Sequence, residues 1–331
     1  MDPREKLDRT MLGYRSSLVL LTAGKVGIFA ALENPGRTAD EVAAERGLDP
    51  RATGQVLLAL AADGWLSQDG QGRFAIRPEY RPLLLPEGER TLASILNHNH
   101  TCMQRWAELD VVLATGRPAP SSRRPRTAEH LRDFILGMEN ISRQSSLAVL
   151  QTLDLSPFRR MLDLGGGPGT SAITFARALP GLRAVVLDLE GPIRIAAEQI
   201  ADAGLSDRVS TRVGDYETDD LGADFDLIYV SNIIHSLPPA ETGALLAKCH
   251  RACAPGGTVI VKEFFLDDAR TRPATAALFS INMLVHTEGG KSYTWRETED
   301  LLGAAGFGDF ERHEVAVASG LLVARKPVGG E

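Results

Sequence analysis

Gly165, Gly167 and Gly169 follow a short apolar run holding one acid, Met161-Leu162-Asp163-Leu164, within the stretch RRMLDLGGGPGT. Glycines this dense leave backbone N–H groups bare at the mouth of a helix, which is one way a chain cradles a cofactor. A dinucleotide loop needs G-x-G-x-x-G, and its third glycine would fall on Thr170. The spacing here is G-x-G-x-G after a strand-end acid, and that acid would repel a phosphate. Two further acids sit in similar places. Asp188, followed by Leu189, ends an apolar run where it could accept both hydroxyls of a ribose; Asp215, beside Tyr216, suits an adenine amino group and ring face. Downstream, VSNIIHSLPP carries His235, and Glu263 ends a later apolar run. Histidine, with a reference pKa of about 6.5, can take a hydroxyl proton at neutral pH and make the oxygen a better nucleophile. Glu263 would hold the imidazole in one tautomer. The plainer alternative is that His235 caps the next helix.

These residues need a frame that brings their strand ends together. Apolar runs alternate with amphipathic stretches: strands at 161–164, 184–189, 209–213, 226–230 and 258–263, helices at 171–178, 192–203 and 239–253, and a turn at Pro255-Gly256-Gly257. Such alternation predicts an α/β fold, a doubly wound and mostly parallel sheet with ligands at the carboxyl ends of its strands. Residues 92–155 read as helices, broken by Thr115-Gly116-Arg117-Pro118 and by a proline-rich stretch whose Arg123, Arg124 and Arg126 form a solvated loop. Cys249, His250 and Cys253 lie in an Ala/Leu-rich helix and read as core residues rather than metal ligands, so no metal is expected.

The first 90 residues follow another pattern. Thr38-x-x-Glu41 is a capping box and Asp49-Pro50 opens a second helix, after which Trp65 to Gln68 and Arg73 to Ile76 make two short strands around Gln71-Gly72. Helix, turn, helix, hairpin is a winged-helix pattern, and a DNA-reading regulator is the rival it raises. Residues 36–81 hold six arginines against seven acids, and the second helix offers Val56, Leu57, Leu58 and Leu60 to a packing partner. A DNA reader needs a basic face, so this segment reads as an oligomerisation module. The chain of 331 residues has a formal net charge of -7 and a pI near 5.6, which argues against nucleic acid and anionic membranes as partners. Residues 18–32 are apolar but too short to span a bilayer, and read as a buried helix pair or a dimer contact. Three cysteines and a charged start suit a reducing cytoplasm.

With these residues in place, the chain resembles the dimeric S-adenosylmethionine (SAM)-dependent O-methyltransferases, the family of caffeic-acid-type, acetylserotonin-type and bacterial natural-product enzymes. Beyond the glycine loop, the resemblance rests on Phe134-x-x-Gly137-Met138, Pro255-Gly256-Gly257, Glu263, and Asn282-Met283-x-x-His286-x-x-Gly289-Gly290-Lys291. It implies a class I, Rossmann-like methyltransferase fold with three segments: a winged-helix-like dimerisation domain at 1–92, a helical connector and acceptor-site cap at 93–155, and a SAM-binding catalytic domain at 156–331. It implies SAM as cofactor, a small and aromatic acceptor, and a homodimer engaged in secondary metabolism.

Carried over by position, the loop glycines with Asp163, Asp188, Leu189, Asp215 and Tyr216 would hold SAM, and Ser231 would lie near it where the plant enzymes have a lysine. His235 falls on the general base and Glu263 on one of two flanking acids. Phe134, Met138, Asn282, Met283 and His286 fall on acceptor-pocket positions; Met103 and Trp106 join them by their place in the capping helices alone. Two departures stand out: the usual His-Asp-Trp is His235-Ser236-Leu237, and Ser292 replaces the second acid. Some relatives methylate carbon in 2-oxo acids with a metal, for which His235 and His286 would supply imidazoles. The main expectation is transfer to an aromatic hydroxyl oxygen; metal-assisted carbon methylation and a DNA-binding regulator or scaffold are the alternatives.

Overall fold

The computed structural model describes residues 1–88, 90–120, 128–315 and 319–329. The solvated loop expected at Arg123, Arg124 and Arg126 lies outside them. The chain divides into two compact units, Met1–Gln104 with Arg126–Asn140 and Arg105–Pro125 with Ile141–Glu331.

In the first unit, Asp2 accepts a hydrogen bond from the Glu5 N–H at 3.2 Å and Pro3 enters the first turn, so α1 (Pro3–Leu12) starts at once. Helices α2 (Tyr14–Lys25) and α3 (Ile28–Ala31) form the expected helix pair. The Thr38/Glu41 capping box opens α4 (Ala39–Arg46), and Asp49, accepting from the Ala52 N–H at 2.8 Å, opens α5 (Pro50–Ala62). Strands β1 (Leu66–Gln68) and β2 (Phe74–Ile76) pair antiparallel, and α6 (Arg81–Leu84) and α7 (Ala93–Trp106), whose last two residues belong to the second unit, follow. The core gathers Phe29, Leu32, Val42, Leu57, Leu60, Leu66 and Phe74. Leu57 and Leu60 are buried within the unit, whereas Leu58 is 51% exposed, because a helix turns one residue past Leu57 out of the buried stripe. Arg37 pairs with Glu45, Arg73 with Glu41, and Arg81 donates to the Glu33 carbonyl, so these cations serve the unit's own fold.

In the second unit, α8 (Leu109–Thr115) precedes α9 (Ala128–Thr152), whose second half belongs here. The chain then runs β3 (Arg160–Leu164), α10 (Thr170–Ala178), β4 (Arg183–Asp188), α11 (Glu190–Asp202), β5 (Val209–Val213), β6 (Phe225–Ser231), α12 (Pro239–Ala252), β7 (Cys253–Glu263), α13 (Ala274–His286), α14 (Trp295–Ala304), β8 (Gly308–Val315) and β9 (Ser319–Arg325). The seven strands are ordered β5-β4-β3-β6-β7-β9-β8, parallel from β5 to β7 and antiparallel at β9 and β8. Side chains alternate along each strand, so both faces are packed. Leu162, Leu164, Ile228 and Val261 meet α12 and α14 on one face; Met161, Leu227, Tyr229 and Ile260 meet α9, α10 and α11 on the other.

The turn expected at Pro255-Gly256-Gly257 is a bulge within a longer strand. Pairing jumps from Phe225↔Cys253 to Leu227↔Thr258, Gly256 takes φ +74°, and a Cβ on Gly257 would stand 2.8 Å from the Cys253 sulfur. Cys249 and Cys253 are buried in the core, and burial pushes their thiols up to about 12 and about 11. Among the described residues no group of three His, Cys, Asp or Glu side chains is arranged to hold a metal, and no helix is long and apolar enough to cross a membrane.

Candidate active site

The glycine loop leaves β3 by a route that side chains would block. Gly165, Gly167 and Gly169 all take positive φ, +60°, +55° and +77°, where a Cβ is strained. A Cβ on Gly165 would collide with Ile233, and one on Gly166 would stand 2.7 Å from the Asp163 carboxyl carbon. Above Gly167 nothing lies within 4 Å, so this is the loop's open side. Asp163 lies beneath the loop, 1% exposed, with its carboxylate accepting from the Ala172 N–H of α10 at 3.1 Å. Burial raises this carboxyl to about 7, against the pull of that N–H, and the nearby Asp188 charge adds to the rise.

Asp188 clasps the loop from the end of β4. Its carboxylate accepts from the Gly167 N–H at 2.8 Å and the Leu189 N–H at 2.7 Å, and burial raises its pKa. Each oxygen keeps a lone pair for a further donor. Leu189 stands beside it, 57% exposed. At the end of β5, Asp215 accepts from the Glu217 N–H at 2.9 Å while its own N–H is donated to Asp219 at 2.8 Å. That closed turn presents Tyr216, whose hydroxyl is pushed up to about 12, first by burial and then by the acids Glu217, Asp188 and Asp215. The three acids thus stand at the ends of three adjacent strands. In α10's first turn, Thr170 Oγ1 is buried with no protein partner among the described residues. An open loop, free carboxylate lone pairs, an exposed leucine and an orphaned hydroxyl fit a nucleoside with an amino-acid tail.

Ser231, half-buried, ends β6 next in line, and the chain then turns through Asn232 at φ +57° into a short 3₁₀ helix, Ile234–Ser236. His235 sits in that helix, 8% exposed, with its Nδ1 2.7 Å from Glu263 Oε2; Glu263 Oε1 accepts the His235 backbone N–H at 3.4 Å. A carboxylate only accepts, so Nδ1 carries a proton, and in the neutral ring the lone pair is on Nε2. The helix is tied down from two sides. The Lys291 N–H donates to the His235 carbonyl at 2.8 Å, and the Tyr293 hydroxyl donates to the Leu237 carbonyl at 2.7 Å. Ser292 contributes no charge: its hydroxyl donates to the Ala276 carbonyl at 2.8 Å.

Helix α13 brings the next group. Phe279, Asn282, Met283 and His286 fall at i, i+3, i+4 and i+7, one face of a helix. The Phe279 ring meets the His235 ring edge-on at 4.8 Å and the Phe264 ring at 4.4 Å. Asn282 Oδ1 accepts from the Trp106 indole N–H at 2.9 Å, and His286 Nδ1 donates to the Asn282 carbonyl at 2.7 Å. Met103, Phe134 and Met138 belong to the first unit, where each is half-buried and Phe134 lies 5.2 Å from His98. Sequence reading missed Phe279 and Phe264, and also Lys262, which is 1% exposed with Nζ donating to Asn232 Oδ1 at 3.3 Å. Burial lowers that ammonium to about 8.

Residues 113–308 match the O-methyltransferase domain family. The chain belongs to that family. It is 32% identical over 299 residues to the 3-hydroxy-5-methyl-1-naphthoate 3-O-methyltransferase of Streptomyces sahachiroi, covering 89% of this chain and 86% of that one. It is 31% identical over 333 residues to the acetylserotonin O-methyltransferase of Bos taurus, covering 95% of each. Human N-acetylserotonin methyltransferase, solved with SAM, superposes with a TM-score of 0.90 at 25% identity over 99% of both chains. The enzyme is therefore a SAM-dependent methyltransferase of the class I fold, with a mostly parallel seven-strand sheet and a helical N-terminal region. The regulator reading is set aside.

Proposed function

We propose that this methyltransferase acts on a hydroxyl oxygen of a small aromatic acceptor, with His235 as general base and Glu263 as the residue that orients it. The observation that carries the reading is the 2.7 Å bond between His235 Nδ1 and Glu263, which leaves Nε2 able to accept a proton. SAM, when bound, supplies a methyl group on a cationic sulfur. As the acceptor oxygen attacks, Nε2 takes the hydroxyl proton, and the buried Glu263 carboxylate stabilises the imidazolium that forms. One acid does this work, since Ser292 stands where the second would be. The relatives are named for a hydroxynaphthoate and for acetylserotonin, and the Phe264 and Phe279 rings beside His235 suit a flat acceptor.

In this reading Asp188 holds the ribose, Asp215 and Tyr216 the adenine with Leu189 against it, and Ser231 stands near the sulfur. The first unit is a winged-helix-like dimerisation module. Helix α1 buries none of its residues within the chain, and Leu7, Met11, Tyr14 and Leu18 are exposed, which suits a homodimer partner. Three free cysteines suit a reducing cytoplasm.

The test is His235→Ala in the full-length protein. Calorimetric SAM affinity should stay as in the parent, while turnover on the best acceptor falls ~10²–10⁴-fold, the usual loss for a general base. Unchanged turnover would overturn the base role and leave proximity as the source of rate.

A further inference from the structure

Lys262 and Glu263 are consecutive on β7, so their side chains leave the strand on opposite sides, yet both reach back to the turn that follows β6. Glu263 takes the His235 ring and backbone N–H. Lys262 takes the residue that begins the turn. Ser231 is its last partner in the parallel ladder, the Asn232 N–H donates to the Lys262 carbonyl at 2.9 Å, and Lys262 Nζ donates to Asn232 Oδ1 at 3.3 Å. Two bonds thus close a ring around Asn232, whose left-handed φ of +57° is one that non-glycine residues seldom adopt. His235 follows three residues later. The bonds from Lys291 and Tyr293 reach the 3₁₀ helix at the His235 and Leu237 carbonyls, so they hold its exit, while Lys262 holds its entrance. Packing does not account for this lysine. It is 1% exposed, and Ile260, two residues earlier on the same side of the strand, lies in an apolar core with Tyr229 and Leu321. Among the described residues its ammonium forms no salt bridge, although the Glu263 charge acts on it. A buried cation of this kind is costlier to the fold than an apolar side chain of similar volume.

We propose that Lys262 is a positioning residue for the methyl transfer: its ammonium grips the Asn232 carboxamide, fixes the left-handed turn out of β6, and so holds the backbone of His235 in register with Glu263. The inference rests on the reading of His235 as general base and adds the residue that sets how that base enters the site. A base must come within hydrogen-bond reach of the proton it takes, and a misplacement of about 1 Å can lower a rate ~10²-fold. Without the ammonium, Asn232 keeps its backbone bond to β7 but its side chain is released, and the turn relaxes toward the conformations that asparagine ordinarily prefers. Glu263 then holds a ring whose backbone has shifted. Lys262 donates to Asn232 and not to the glycine loop, so the loss falls on the chemical step and spares SAM.

The experiment measures kcat and KM of the full-length enzyme with SAM on aromatic hydroxyl compounds such as 2-naphthol and 5-hydroxyindole, alongside calorimetric SAM affinity and thermal unfolding at pH 7. Lys262→Met keeps the bulk of the side chain and removes the donor. It should lower kcat about tenfold or more, leave SAM affinity and acceptor KM within about threefold, and melt no earlier than the parent. Amide exchange over residues 232–235 should quicken in the same variant. A merely structural lysine would give a fall in kcat, SAM affinity and melting temperature together, and that result overturns the proposal, as does an unchanged kcat. Asn232→Gly keeps the left-handed backbone and removes the acceptor, so it should lose kcat to a similar extent. Full activity in Asn232→Gly overturns the proposal even where Lys262→Met does not fold. Because the two side chains act through one bond, the double variant should be no slower than the slower single; losses that multiply overturn it. A loss of turnover in His235→Ala with none in Lys262→Met overturns this inference and leaves the base reading intact. Full turnover in His235→Ala, or a parent that binds SAM but methylates none of these phenols, removes both together.

Discussion

Asp163 and Lys262 lie at the ends of two strands, both buried, and burial moves each toward its neutral form from opposite sides, to about 7 and about 8. Asp163 has a folded pKa above its unfolded value of about 3.9. Its favourable contribution is therefore complete below about pH 4 and is lost as pH rises toward 7. Lys262 has a folded pKa below its unfolded value of about 10.4. Its contribution is complete above that value and is lost as pH falls toward 8, leaving a buried ammonium at neutral pH. Denaturant titrations across pH should show this directly. Asp163→Asn should flatten the fall in stability between pH 4 and 7, and Lys262→Met should flatten the rise between pH 8 and 10 and gain a few kcal/mol at pH 7. Parallel pH curves for parent and variants would mean that neighbouring groups relax enough to solvate both charges.

The glycine loop separates two jobs that sequence spacing alone runs together. Gly165→Ala places a Cβ against Ile233, two residues before the proposed base, so it should lower the melting temperature and weaken SAM binding together. Gly167→Ala points into open space, so its stability loss should stay near the ~1 kcal/mol of a left-handed alanine while SAM affinity drops at least tenfold. Calorimetry and thermal unfolding of the pair would separate the two effects, and equal affinity losses with equal destabilisation would contradict the assignment of Gly167 as the open face. The loop and its three acids were legible in sequence because a parallel strand is a short apolar run and its last residue is easily found. Helix α13 was not. Its sequence, ATAALFSINMLVH, is apolar nearly all round, so no stripe marks the face that carries Phe279. Strand β8, GDFERHEV, is mostly exposed at the sheet edge and reads as polar chain. The Trp106–Asn282 bond spans 176 residues of sequence and has no local signature.

At the scale of the molecule, the exposed apolar residues of α1 and α2 make a prediction about assembly. The proposed homodimer predicts that the parent sediments as a dimer at micromolar concentration and that Met11→Lys with Tyr14→Lys sediments as a monomer, with the fold kept by circular dichroism; a monomeric parent would overturn the homodimer reading, and an unchanged variant would overturn this contact. The doubly tethered 3₁₀ helix at residues 234–236 has a different kind of consequence. Its shape is held by Lys291 and Tyr293, from the segment before α14, and by the β7 residue Glu263, all within one unit and none needing a ligand. The proposed base is therefore mounted on permanent scaffolding, and amide protons there should exchange slowly even in ligand-free protein. If the proposed base is right, a chain built this way can inherit its chemistry unchanged while the neighbouring helix α13 varies, which makes the residues of that helix beside His235 the place to begin when redirecting the enzyme in the laboratory.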